Sequence, residues 1–75
     1  MTTLSRLRQI LIHTFPNTEI PENIENLKMG DFEEWDSIGN FNLILAIEDA
    51  YNIRFSMNEI SQVKTIQELK DITDK

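Results

Sequence analysis

Apolar positions along this chain fall into phased runs divided by one long mixed stretch. Leu4, Leu7, Leu11 and Phe15 recur at three- and four-residue steps, and Ile10 and Ile12 widen the stripe. That spacing predicts an amphipathic helix over 3–15. Pro16 ends it, because proline lacks a backbone donor and disfavours helix in the residue before it. A second run predicts a helix over 37–51 that is apolar on most sides. Phe41, Ile44, Ile47 and Tyr51 share one face, Leu43 and Ala50 lie beside them, and Ile38 and Leu45 fall towards the other side. Such a helix is buried all round or keeps an apolar strip for a ligand or partner. Phe41, Ile44 and Ile47 are expected in the core.

The remaining elements announce themselves by their starts. Asn52-Ile53-Arg54-Phe55 interrupts the second helix, with Ile53 and Phe55 turned inward around an exposed Arg54. Ser56 with Glu59, and Thr65 with Glu68, are two capping boxes nine residues apart. They predict a short helix over 56–62, with Ile60 and Val63 inside, and a last helix over 65–73, with Ile66, Leu69 and Ile72 inside. Asp36 or Ser37 is placed to cap the 37–51 helix, and an acid there suits the positive end of the helix dipole. Gly39, in its first turn, costs about 1 kcal/mol against alanine. Its presence points to something approaching the helix start closely.

Between the first two helices, residues 16–36 make a connection long enough to need an explanation in a compact domain. Ile20, Ile24, Leu27, Met29, Phe32 and Trp35 are expected to pin it to the core. Pro21-Glu22-Asn23-Ile24 is predicted as a short helical turn with Pro21 at its first position, and Gly30-Asp31 as a further turn. The expected fold class is all-α: a small four-helix bundle of three main helices and one short one, in one domain spanning 1–75.

Composition narrows the chemistry. Seventy-five residues without a cysteine exclude disulfides and thiolate metal sites, and agree with a reducing, cytoplasmic setting. Met1 to Arg6 lack the apolar core of a signal peptide, and no apolar run reaches membrane-spanning length, so no membrane insertion is expected. The net charge of −6 is unevenly spread: Arg6 and Arg8 precede residue 16, and all thirteen acids follow it. An acidic body of this kind repels nucleic acid and attracts basic partner surfaces.

The candidate chemistry centres on Trp35-Asp36-Ser37-Ile38-Gly39. Ser37 lacks the first glycine and the preceding strand of a nucleophile elbow. Asp31, Glu33, Glu34 and Asp36 do not match an EF-hand loop and read as a solvated acidic loop. His13, the single histidine, sits in the last turn of its helix, with no catalytic partner near it in sequence. No glycine-rich phosphate cradle or basic-aromatic surface for nucleic acid is present. The expected protein is therefore not an enzyme and holds no metal.

Asp36-Ser37-Ile38 at the head of the second helix, Ala46-Ile47-Glu48-Asp49, Tyr51-Asn52-Ile53 at that helix's end, Ser56 to Ile60 and Thr65-Ile66 together resemble the acyl and peptidyl carrier proteins. The resemblance implies that Ser37 receives a covalent 4′-phosphopantetheine from coenzyme A, whose thiol carries an acyl or aminoacyl group as a thioester. It implies that Asp36 helps a phosphopantetheinyl transferase recognise the site. Ile38, Leu45, Glu48 and Asp49 would meet partner enzymes, namely those that load and transfer the acyl group. A monomer that detaches and visits several partners is expected. Carriers of housekeeping fatty-acid synthesis usually bear acids on the first turns of this helix; here no charge falls between Asp36 and Glu48. Docking is expected to use apolar and amide contacts, Asn40 and Asn42 among them. Trp35-Asp36-Ser37 followed by Gly39 looks more like carriers of specialised polyketide, nonribosomal peptide or sugar-modifying pathways. The alternative is an unmodified carrier-like module that binds a partner through the apolar strip of 38–45.

Overall fold

The computed structural model describes residues 3–73. Four helices follow one another: α1 (Thr3–Thr14), α2 (Ser37–Tyr51), α3 (Met57–Gln62) and α4 (Ile66–Thr73). α1 packs against both α2 and α4. Leu7, Ile10 and Leu11 supply its buried stripe, whereas Ile12 lies at the edge and is exposed. Phe15 falls just outside α1, but its N–H still bonds the Leu11 carbonyl at 2.8 Å and its ring is buried. From α2 the core takes Leu43, Ile44 and Ile47; Phe55 and Val63 flank α3, and Ile66 and Leu69 come from α4.

Helix ends are set by specific side chains. Asn52 closes α2 in the left-handed region at φ 55°, which asparagine tolerates, and its N–H returns to the Glu48 carbonyl. Ser56 caps α3 in a complete capping box, with Glu59 N–H to Ser56 Oγ at 3.1 Å and Ser56 N–H to the Glu59 carboxylate at 2.9 Å. The box before α4 is shifted. Thr65 Oγ1 accepts the Glu68 N–H at 3.1 Å, but the Glu68 carboxylate reaches one residue further back, to the Lys64 N–H at 3.0 Å.

The long connection is tied down at three points. Arg8 donates to the Ile20 carbonyl at 3.0 Å and the Pro21 carbonyl at 2.8 Å. Lys28 and Thr65 form an antiparallel bridge, with Met29 N–H to Lys64 O at 2.7 Å and Ile66 N–H to Leu27 O at 3.0 Å. Gly30, at φ +99°, then turns the chain so that its N–H meets the Trp35 carbonyl at 2.8 Å. Pro21–Ile24 does not form the expected helical turn. Arg8 claims the carbonyls of Ile20 and Pro21, buried Ile20 and Ile24 anchor the segment, and the turn comes later, where Leu27 N–H closes on Ile24 O at 3.0 Å.

Candidate functional site at the head of α2

The last stretch of the connection is clamped onto the first turn of α2, and that clamp decides where Ser37 points. Trp35 is fully buried between the rings of Phe15 and Phe32, each with its centroid 6.0 Å away and tilted. Offset aromatic contacts of this kind add to the apolar burial. The Trp35 indole N–H donates to the Asn40 side-chain oxygen at 3.0 Å, and the Asn40 amide donates to the Val63 carbonyl at 2.8 Å. Asn40 is only 5% exposed. Its carboxamide thus crosses from α2 to the loop on one side and to the end of α3 on the other. Breaking it would strand the Trp35 N–H and the Val63 carbonyl, at about 1–3 kcal/mol for each buried group.

Gly39 allows the clamp to close. A Cβ at this position would sit 2.1 Å from the Glu34 carbonyl oxygen and 3.1 Å from the Phe15 ring. The close approach expected at the helix start is therefore made by the protein's own backbone. Asp36 is the N-cap: its carboxylate accepts the Gly39 N–H at 2.8 Å, and its carbonyl accepts the Asn40 N–H at 2.8 Å. With residues 35, 39 and 40 turned inward, Ser37 begins the helix on the exposed side.

Beside Ser37 runs an open groove of about 270 Å³. Met29, Phe41 and Ile60 give it apolar walls; Asn40 lies at its inner side, and Ser61 and Lys64 supply polar groups. Outward along α2 lie Ile38, 73% exposed, Phe41, 46%, and Leu45, 44%, with Met57 82% exposed at the start of α3. Two expectations are corrected here. Phe41 is not core, because Leu43, Ile44 and Ile47 already fill the inward face of α2. Asn40 is no docking amide, because both ends of its carboxamide are bonded inside; Asn42 stays exposed.

The acids do different jobs. Glu48 is half-buried, and its carboxylate accepts the Phe55 N–H at 2.7 Å, which fixes the turn after α2; Asp49 is exposed. Asp31 pairs with the Lys28 ammonium at 3.1 Å and accepts the Lys28 N–H at 2.9 Å. That backbone bond, helped by the ammonium, holds the Asp31 carboxyl below its ordinary value of 3.8. Glu34 accepts from the Thr18 hydroxyl at 2.6 Å, and Glu33 is exposed. Among the described residues, no three His, Cys, Asp or Glu side chains are grouped so as to hold a metal ion.

Sequence reasoning read Asn40 as a docking amide and Ile60 only as an interior residue of its helix, and passed over Met57 and Lys64. A signal existed for the inward place of Asn40: a lone amide in an apolar helix, five residues after a tryptophan whose N–H needs an acceptor once buried.

No protein-family model and no curated protein matches the sequence. Among solved structures, the fold is similar to the solution NMR structure of a holo acyl carrier protein from Geobacter metallireducens, with a TM-score of 0.80 at 32% identity. The similarity covers 99% of this chain and 84% of that one.

Proposed function

The chain belongs to the acyl carrier protein family, and on that premise we propose that it presents an acyl or aminoacyl group as a thioester on a 4′-phosphopantetheine attached to Ser37. It is a carrier, not an enzyme. The observation that supports Ser37 as the attachment point is its position: exposed, first in α2, directly after a capping aspartate and beside a groove. The arm, when bound, supplies the thiol that holds the cargo.

The chain's own residues fit such a group. Ser37 offers its Oγ to solvent at the positive end of a fifteen-residue helix, where a phosphodiester anion is favoured. Lys64 places a cation among the residues that line the same groove. Asp36 holds the first turn through the Gly39 N–H and presents the acidic residue that a phosphopantetheinyl transferase would read beside Ser37. Ile38 and Leu45 stand outward on α2 as apolar contacts for the enzymes that load and unload the cargo, and Phe41 joins them. Asp49 adds charge at the far end of the helix. Glu48 holds the Phe55 N–H with one oxygen and presents its half-exposed edge beside Asp49.

The uncharged stretch from Ser37 to Ile47 supports a specialised pathway over housekeeping fatty-acid synthesis. A housekeeping synthase system is expected to load and elongate on this carrier poorly; efficient elongation would count against that assignment. No helix among the described residues is long and apolar enough to cross a membrane.

The primary test is intact mass after incubation with coenzyme A and a broad-specificity phosphopantetheinyl transferase. The wild-type chain is expected to gain one arm, and Ser37→Ala none. A folded wild-type chain that gains no mass, even in an extract of its native host, would point instead to the unmodified interaction module.

A further inference from the structure

Resting on that carrier reading, we propose that Lys64 is the counter-charge of the arm: its ammonium pairs with the phosphodiester formed on Ser37 and holds the arm at its root. Ser37 and Lys64 border the same space of about 270 Å³, and among the described residues that line it Lys64 is the one that carries a charge. The other described cations are placed or engaged elsewhere. Arg6 and Arg8 bond backbone carbonyls, and Lys28 is paired with Asp31 at 3.1 Å. Lys70, on α4, has an interaction of its own, and Arg54 follows the end of α2 opposite to Ser37.

The backbone of Lys64 is fixed from both sides. Its N–H donates to the Glu68 carboxylate at 3.0 Å, and its carbonyl accepts the Met29 N–H at 2.7 Å. Neither bond uses the ammonium. The side chain is exposed, and among the described residues its ammonium makes no hydrogen bond or ion pair. The same Glu68 oxygen also accepts from the Thr65 hydroxyl at 3.0 Å, so that carboxylate is held on the start of α4. Attaching the arm sets a new negative charge directly after Asp36, in a chain already at −6. The Asp36 carboxylate, which caps the first turn of α2, repels that charge. Lys64 offsets the repulsion from the groove side. A lysine ammonium is a compact charge on a flexible stem, suited to a charge-assisted hydrogen bond with a phosphate oxygen. Lys64 thus binds the arm and takes no part in making or breaking the thioester.

The test compares the full chain with and without its arm in the wild type, Lys64→Gln, Lys64→Arg and Lys28→Gln, with the arm verified by intact mass. A wild-type chain that gains no arm is failure of the carrier reading, which the mass alone shows, and the proposal falls with it. Each protein is referred to its own unmodified form, so the effect of the substitution on the fold cancels. The field at the start of α2 acts on the phosphodiester in all four and drops out as well. At about 0.02 M salt, the change in melting temperature on gaining the arm is expected to be about 1–5 °C less favourable in Lys64→Gln than in the wild type. Lys64→Arg and Lys28→Gln are expected to keep the wild-type change. At about 0.5 M salt the gap is expected to close, since exposed charges are then screened. In the wild type alone, the ε-methylene resonances of Lys64 are expected to move when the arm is attached at low salt and to return towards their unmodified positions at high salt. Equal changes in the wild type and Lys64→Gln overturn the proposal, and so do Lys64 resonances that ignore the arm. A loss in Lys28→Gln in place of Lys64→Gln overturns it too.

Discussion

At position 39 the helix needs an absent side chain, and the two opposing effects of restoring one can be weighed. Alanine in place of glycine gains up to about 1 kcal/mol of helix propensity. Against this stands a Cβ only 2.1 Å from a backbone carbonyl, that of Glu34, which cannot swing aside as a side-chain tip would. Forced overpacking of this kind costs about 1–3 kcal/mol or more, so the clash wins. Gly39→Ala is expected to lower the melting temperature by about 5–10 °C; an unchanged or raised value in a thermal melt would show that the clamp is loose. Asp31 makes a second prediction through its charge. Its carboxyl is held below 3.8 in the folded state, first by the Lys28 N–H and then by the Lys28 side chain. The stability it contributes is therefore fully present above its unfolded value and fades as pH falls through the folded one. Asp31→Asn is expected to melt slightly below the wild type at pH 6. The two curves should converge below pH 3.8, and melts across that range would show it.

Among the elements, α2 depends on one buried amide for its seating against the loop and α3. Asn40→Ala removes both bonds at once and leaves the Trp35 N–H and the Val63 carbonyl without those partners. A loss of about 2–4 kcal/mol is expected in urea unfolding, whereas Asn42→Ala, on the exposed side of the same helix, should fall within about 0.5 kcal/mol. The pair also shows where the sequence was readable. α1 and α4 have one apolar face each, so period and burial agree, and the Ser56 box marks the start of α3 through bonds that the structure contains. α2 has apolar residues on nearly every side, so its period does not say which face is inside. Phe41 and Asn40 consequently exchange the places that polarity alone would assign them. Only the tertiary partners, Trp35 from the loop and Val63 from α3, resolve them. The serine at the head of α2 was legible because its signal is local: an acid that caps, a serine that starts, and an apolar run that follows. The groove beside it was not, because Met29, Ile60 and Lys64 reach it from three separate segments.

Across the whole molecule, charge is distributed so that the exposed apolar strip is left neutral. Of the early cations, Arg8 is bound to the loop carbonyls, and Arg6 lies over the Tyr51 ring at 4.4 Å and donates to the Ala50 carbonyl at the end of α2. Both stitch the fold together. The acids sit in the loop and from Glu48 onward, and none lies on α2 between Ser37 and Ile47. A partner that docks on Ile38, Phe41 and Leu45 therefore meets apolar surface at the centre and acids only at the rim. Rim charges mainly tune the rate of encounter and are screened by salt, whereas buried apolar anchors determine how long a complex lasts. On the proposed function, a phosphopantetheinyl transferase is a partner on which this can be measured. Raising the salt from 0.05 to 0.5 M is expected to change kcat/KM for arm transfer by less than about threefold. Ile38→Ala, which deletes the exposed apolar side chain next to Ser37, is expected to lower it by about tenfold, and Asp49→Asn by less than about twofold. The reverse order, a steep salt dependence with a large Asp49 effect and a silent Ile38→Ala, would mean that docking is electrostatic after all. The acidic loop, whose Glu34 carbonyl abuts Gly39 and whose Glu33 is exposed, would then be the surface to mutate next.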